Sequence, residues 1–352
     1  MELNSIQFLT LFVIAVFSTG IITPVMRRVA KRFGIVDQPN QAHKTHREPI
    51  PYLGGVAIMI TVSIIVLGGS LFLKMDSNTS KIVLAIMVPS VLIGLVGLAD
   101  DIKNLSPISR FIAQSIAALF TSIVIISSDT VGSPTGNSYL DFFITVVWIV
   151  GITNAINFFD NHDGGASGTV AVSSFMLFIL ASTSGQFYIA ALAIVLSGSC
   201  FGFLYWNRNP ARIYMGDAGS LFLGMILATI LVRFDPNPIN RWAGFAIPVL
   251  LLAMPILDTS VSVLSRIQRG ISPFQGGQDH LSHRLVLRGL TRRATAIALW
   301  SGTGVFSLIA LLISNASYRL EGLFLSISLA IFLTLFFWFF RQNDYMEKKK
   351  NT

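Results

Sequence analysis

An all-α bundle that crosses a membrane many times is the fold class this sequence predicts, and three observations predict it. Of the 352 residues, 53% are hydrophobic and only 12% charged, with a mean hydropathy of +0.69; a soluble domain carries about 25% charged residues. The apolar residues fall in blocks of about 18 to 22, and a helix of that length crosses about 30 Å of hydrocarbon. Lys and Arg crowd into alternate loops. A large soluble helical core does not fit this composition.

Eleven spans are expected, with ten as the lower count: 6–26, 52–73, 82–99, 110–128, 141–159, 168–184, 187–205, 218–233, 243–265, 294–314 and 322–340. Before the first span the chain carries Glu2 and no Lys or Arg. That is not the basic start of a signal peptide, so the span is expected to be retained. The loop that follows, 27–51, is long and basic, with Arg27, Arg28, Lys31, Arg32, Lys44 and Arg47. The same side takes Lys103, Arg110, Arg208, Arg212, Arg266, Arg269, Arg284, Arg288, Arg292 and Arg293, and the tail adds Arg341 and Lys348 to Lys350. Only Lys74, Lys81, Arg233, Arg241 and Arg319 of the 25 basic residues fall on the other side. Basic loops stay in the cytoplasm, so the N-terminus is expected outside and the C-terminus inside. Residues 1–340 read as one transmembrane domain. The tail 341–352, "RQNDYMEKKKNT", can lie against anionic lipid. The net charge of +8 thus reflects topology and gives no reason to invoke nucleic acid. The single cysteine, Cys200, lies in an apolar span and allows neither a disulfide framework nor a cysteine metal site within the chain.

The third span ends in "GLADD", Asp100 and Asp101. Adjacent helical positions point about 100° apart, so the two acids cannot form one fork. One can face a site while the other faces a neighbouring helix or water; a merely solvated helix end is the plainer reading. The fifth span ends in "NAINFFDNHDGG", 154–165. Asn154, Asn157, Asp160 and Asp163 recur every three residues and form one drifting polar stripe on a helix. It can glue helices together; the glycines behind it favour a close backbone approach to a ligand. The eighth span opens with "RIYMGDAGSLFLG", 212–224. Its N-terminus is expected to attract phosphate, and Asp217 there needs a divalent cation between itself and that phosphate. The rival reading of Asp217 is a helix N-cap. After the ninth span, "SRIQRGISPFQGGQDHLSHRL", 265–285, gathers Arg266, Arg269, Asp279, His280, His283 and Arg284. A basic clamp for pyrophosphate or sugar is the preferred reading, ahead of a zinc site or a loop that is basic only for topology.

Asp100, Asp101, Asp160, Asp163, Asp217, Asp258 and Asp279 all fall near the cytoplasmic ends of spans. Acids are expensive inside hydrocarbon and need water, a cation or a partner. Their convergence describes a polar site open to the cytoplasm. A transporter would instead hold its acids near the midplane on broken helices, often with repeats, and no repeat is apparent.

In this order the motifs resemble those of the polyprenyl-phosphate N-acetylhexosamine-1-phosphate transferases, a glycosyltransferase family. The match runs from "DQPNQAHKTHREPIPYLGG", 37–55, through "GLADD", "NAINFFDNHDGG" and "IYMGDAGS" to "PILDTSVSVLSR" and "SPFQGGQDHLSHRL". The resemblance implies Mg²⁺-dependent transfer of a sugar-1-phosphate from a UDP-sugar to a polyprenyl phosphate in the membrane, releasing UMP, with Mn²⁺ as a substitute metal. It gives Asp217 the metal, with Asp100 as a second ligand or the base and Asp101 close by. Asn157 and Asp160 match polar active-site positions. Asp163 matches a contact to the nucleotide base, and Tyr214 an aromatic residue that stacks on uracil. Lys44 and Asn154 are assigned to substrate, as are Arg266 and Arg284, and His280 and His283 to the histidine pattern HxHH. UDP-N-acetylglucosamine is the first choice of sugar, ahead of another UDP-N-acetyl amino sugar or UDP-N-acetylmuramoyl-pentapeptide. A homodimer is compatible with it. Two positions depart from the family pattern: Asn161 replaces a glycine of DGxDG, and Ser282 the middle histidine of HxHH.

Overall fold

The structure is a computed structural model that describes residues 3–37, 49–72, 77–127, 135–236, 241–273 and 277–342. Each expected span holds helix over most of its described residues. Among the described residues nine helices have the length and apolar character to cross a membrane, or ten if a bent pair counts as one span. The nine are α1 (Ser5–Phe33), α3 (Ser77–Lys103), α4 (Pro107–Ser127), α5 (Ser138–Phe159), α6 (Gly165–Thr183), α7 (Phe187–Asn207), α8 (Gly216–Arg233), α12 (Arg292–Ser314) and α13 (Tyr318–Phe340). The second span is α2 (Gly54–Phe72), whose apolar stretch, Gly54–Ser70, is shorter.

The ninth expected span is not one rod. It is α9 (Arg241–Leu251) and α10 (Ala253–Gln268), bent by 75° between them. Pro255 explains the break: it has no N–H to give the carbonyl of Leu251 four residues back. Ser173 of α6 supplies the missing donor, with its Oγ 2.6 Å from that carbonyl. A short helix, α11 (Leu281–Leu287), and an antiparallel pair of two-residue strands, β1 (Val36–Asp37) and β2 (Ile50–Pro51), lie outside the expected spans.

Helix α8 is the axis of the bundle. It is buried from Ala218 to Leu231 and packs against α2, α3 and α5. It runs antiparallel to α3 and α5: Asp101 meets Asp217, Asn157 meets Ser220, and Trp148 donates to the carbonyl of Ala228. Without a hydrophobic drive between helices in lipid, close packing through small residues does the work. A Cβ on Gly97 would stand 2.2 Å from the carbonyl oxygen of Asp217, and one on Gly55 2.1 Å from Cα of Gly219. Glycine at both places lets α2 and α3 press onto the start of α8. The outer helices α1, α4 and α13 instead expose large apolar side chains such as Ile21, Ile116 and Leu329, as a lipid-facing surface requires.

Candidate active site

The helix ends that carry the predicted acids meet at one end of the bundle. Arg27, near the end of α1, donates to the carbonyl of Arg212 before α8. Asn207, at the end of α7, accepts from the N–H of Gly164 and the hydroxyl of Ser167 at the start of α6. His162 Nε2 lies 2.8 Å from the carbonyl of Arg292, where α12 starts. Arg284 donates to the carbonyl of Phe339 at the end of α13. This is also the end that holds the basic loops.

The paired aspartates point apart, as adjacent helical positions must. Asp101 turns to α8, and its two carboxylate oxygens accept the N–H groups of Asp217 and Ala218 at 2.8 and 3.0 Å. The expectation that this helix start binds phosphate is therefore corrected, because Asp101 already takes its positive end. Gly216, at φ +74°, makes room: a Cβ there would sit 2.6 Å from the Asp101 carboxylate. Asp217 lies inside the first turn, and the capping position is Met215, so the N-cap reading of Asp217 falls. Asp100 turns the other way. Its Oδ2 and the Oδ2 of Asp217 share one nitrogen, Nη1 of Arg110, at 2.7 and 2.6 Å. Asn157 donates to the other oxygen of Asp217 at 2.8 Å and to Ser220 at 2.9 Å. Two hard carboxylate oxygens gathered on one cation suit Mg²⁺, which uses one or two carboxylates and completes its shell with water and phosphate. Among the described residues no group of three or more His, Cys, Asp or Glu is placed to enclose a metal.

The polar stripe on α5 divides its work. Asn154, one turn deeper, donates to Gln114 of α4 at 2.6 Å and to the carbonyl of Val150, and so braces two helices. Asp160, just beyond α5, accepts no side-chain hydrogen bond among the described residues. Burial, with the charges of Asp217, Asp101 and Asp163 around it, pushes its carboxyl up to about 8. Asp163 accepts from Asn209 at 2.7 Å and from the N–H of Ala211 at 3.1 Å through one oxygen. It ties down the loop before α8. Tyr214 in that loop has its ring centre 6.0 Å from that of Tyr52. Burial and then the charge of Asp163 hold the Tyr214 phenol protonated. Lys44 lies outside the described residues.

The basic loop is mostly internal. Arg266 grips Asp279 through two nitrogens at 2.9 and 2.7 Å, and Arg269 adds a third bond at 2.7 Å. Burial alone would raise Asp279; the Arg266 bond and charge, with His280, hold it at about 2. Arg284 is 1% exposed and bonds the carbonyls of Asp279 and Phe339. Both arginines are thus committed to protein partners and fasten α10, α11 and α13, which does not fit a clamp open to substrate. His280 is held by Asp258 at 2.7 Å, and Asp258 also accepts the N–H of Leu281. His283 makes no hydrogen bond among the described residues; burial and the neighbouring His280 lower it to about 4, so it is neutral. The two departures touch each other: the Ser282 hydroxyl donates to Oδ1 of Asn161. Asn161 has no left-handed backbone; its amide is fixed by its bond to the carbonyl of Phe158.

The sequence gives Arg110 only a topological role and names Asp258 only among the acids that converge on the site. Arg110 follows Asp100 by ten residues across a short turn, which is the one signal that it could fold back onto the pair. Asp258 was visible as an acid near a span end, but its partner His280 is 22 residues away.

A family model described as glycosyl transferase family 4 matches residues 83–235. The probable undecaprenyl-phosphate N-acetylglucosaminyl 1-phosphate transferase of Bacillus subtilis is 31% identical, over 94% of this chain and 91% of its own length. The decaprenyl-phosphate N-acetylglucosaminephosphotransferase of Mycolicibacterium smegmatis is also 31% identical, over 93% and 86%. The phospho-N-acetylmuramoyl-pentapeptide-transferase of Staphylococcus saprophyticus is 29% identical, over 86% and 97%.

Proposed function

We propose, from the premise that the chain belongs to glycosyl transferase family 4, that it is a multi-pass membrane transferase moving a sugar-1-phosphate from a UDP-sugar to a polyprenyl phosphate. The product is a lipid-linked intermediate of cell-wall or surface-polysaccharide synthesis. N-acetylglucosamine is the sugar we favour, since two of the relatives are named for it. The observation that carries the reading is the meeting of Asp100 and Asp217 on one cation, where polar helix ends gather at one end of an apolar bundle. We place that end at the cytoplasmic face, on the distribution of Lys and Arg.

An oxygen of the lipid phosphate forms a bond to the sugar-bearing phosphorus. The bond from that phosphorus to the bridging oxygen breaks, and UMP leaves with the electron pair. A phosphate monoester has its second pKa near 6, so the nucleophile is mostly dianionic at pH 7. Asp100 therefore orients it more than it deprotonates it. Asp217 and Asp100 would hold Mg²⁺, which offsets charge on the phosphates. Asn157 fixes the carboxylate of Asp217, and Asp101 fixes the helix start that carries it. Neutral His283 stands ready to donate to a phosphate or sugar oxygen. Tyr214 offers a face to uracil, beside the loop that Asp163 anchors.

The test is UMP release by purified protein given polyprenyl phosphate and a panel of UDP-N-acetylglucosamine, other UDP-N-acetyl amino sugars and UDP-N-acetylmuramoyl-pentapeptide. Lipid-dependent UMP release supports the reading, and the best substrate names the sugar. No release with any donor would refute it.

A further inference from the structure

Arg110 stands where a metal ion would be expected to stand. One of its nitrogens, Nη1, bridges Asp100 and Asp217 at 2.7 and 2.6 Å. Its other guanidinium nitrogens bond nothing among the described residues, and a quarter of its side chain is exposed. The backbone beneath it is tied locally. Pro107 opens α4 with its φ already helical, and the N–H of Ser109 bonds Ser106. A partly exposed side chain on such a base has room to swing toward solvent. The acids cannot swing with it. Asp217 is held by Asn157, and Asp100 accepts the N–H of Leu105.

We propose that Arg110 is a built-in counter-ion: it keeps Asp100 and Asp217 together in the metal-free enzyme, competes with the divalent cation for their oxygens, and is displaced when the cation binds. A guanidinium and a divalent cation cannot both lie within bonding distance of the same two oxygens without strong repulsion. Two like charges this close, left with neither, would repel in turn. So Arg110 sets the metal affinity of the site and protects its shape between turnovers. The inference rests on the metal reading of Asp217 given above.

The experiment measures Mn²⁺ binding by electron paramagnetic resonance on detergent-purified full-length protein, with thermal unfolding alongside. The variants are Arg110→Ala and Arg110→Gln, the second keeping length and hydrogen bonding while removing charge. Asp217→Asn is the control. Both Arg110 variants should bind Mn²⁺ about tenfold or more tightly than wild type. They should also melt earlier without metal and recover more on adding it. If wild type binds Mn²⁺ through Asp217 but the Arg110 variants bind within threefold of it or more weakly, the counter-ion role is wrong and the metal reading stands. If wild type binds no Mn²⁺ that Asp217→Asn abolishes, both fall. If Arg110→Ala does not fold, Arg110→Gln decides by the same thresholds. If neither folds, added Mn²⁺ must release Arg110 in wild type, read as phenylglyoxal labelling of that residue. Labelling that stays unchanged with metal overturns the proposal.

Discussion

Asp217→Asn separates a metal ligand from a structural acid, and the structure sets its size. Asp217 accepts from two donors, Arg110 on one oxygen and Asn157 on the other. An asparagine has one acceptor oxygen, so its NH₂ must face one of those donors. An unsatisfied donor of this kind costs about 1–3 kcal/mol. Part of that cost is returned, because the substitution also removes repulsion from Asp101. The fold should therefore survive with a small loss of stability. Function should not survive in the same way. The neutral side chain lacks the charge a divalent cation needs, and losing that stabilisation costs several kcal/mol, on the order of a thousandfold in rate. The assay is UMP release across a Mg²⁺ titration, with thermal unfolding and detergent-extracted yield as controls. A folded variant within about threefold of wild type at low Mg²⁺ would refute the reasoning and leave Asp217 a structural partner of Arg110 and Asn157.

Three further outcomes follow from particular contacts. Asn161 and Ser282 bond across two loops, so Asn161→Ala and Ser282→Ala should be non-additive in turnover by about 0.5 kcal/mol or more in a double-mutant cycle; additive losses would make the contact incidental. His283 has its folded value lowered to about 4 from an ordinary 6.5. Its contribution to stability is full above about 6.5 and is lost as pH falls through about 4, because the unfolded chain takes the proton first. The melting temperature of His283→Gln should then fall less than that of wild type between pH 7 and pH 4; parallel curves would contradict it. For sidedness, single cysteines at Ser77 and Ser272 in a Cys200→Ala background should label from opposite sides of intact cells or inverted vesicles with an impermeant thiol reagent. Labelling of both from outside would overturn the cytoplasmic placement.

The sequence made the spans plain because hydrocarbon forbids most alternatives, but not their ends: α1 runs on to Phe33 past the expected 26, and α3 begins at Ser77 before the expected 82. It could not show the bend between α9 and α10. That run is apolar throughout, and the carbonyl freed by Pro255 is satisfied by Ser173, 78 residues away. Asp100 and Asp217 were legible because a carboxylate at a membrane helix end needs a partner. Arg110 was not, because the positive-inside rule already accounts for any arginine in that loop. The same rule hid the opposite case. Arg266 and Arg284 looked like a clamp, yet Asp279 and the end of α13 consume their donors. Only the third dimension tells a basic residue that faces water from one that is spoken for.

The acids at this end of the bundle divide into those that are answered and those that are not. Asp101 is answered by the start of α8, Asp163 by Asn209 and Ala211, Asp258 by His280, and Asp279 by Arg266 and Arg269. These four hold helices and loops in place. Asp100 and Asp217 share a single guanidinium, and Asp160 has no side-chain donor among the described residues. On the proposed reading, two carboxylates on one guanidinium, with the Asp160 carboxyl beside them, would need a cation to receive a nucleotide sugar and a lipid phosphate, which bring more negative charge. That cation would be held between Asp100 and Asp217, where two oxygens from antiparallel helices are already at bonding distance from a positive group. Asp160 meets the same repulsion in another way: burial first, and then the charges of Asp217, Asp101 and Asp163, push its carboxyl up to about 8.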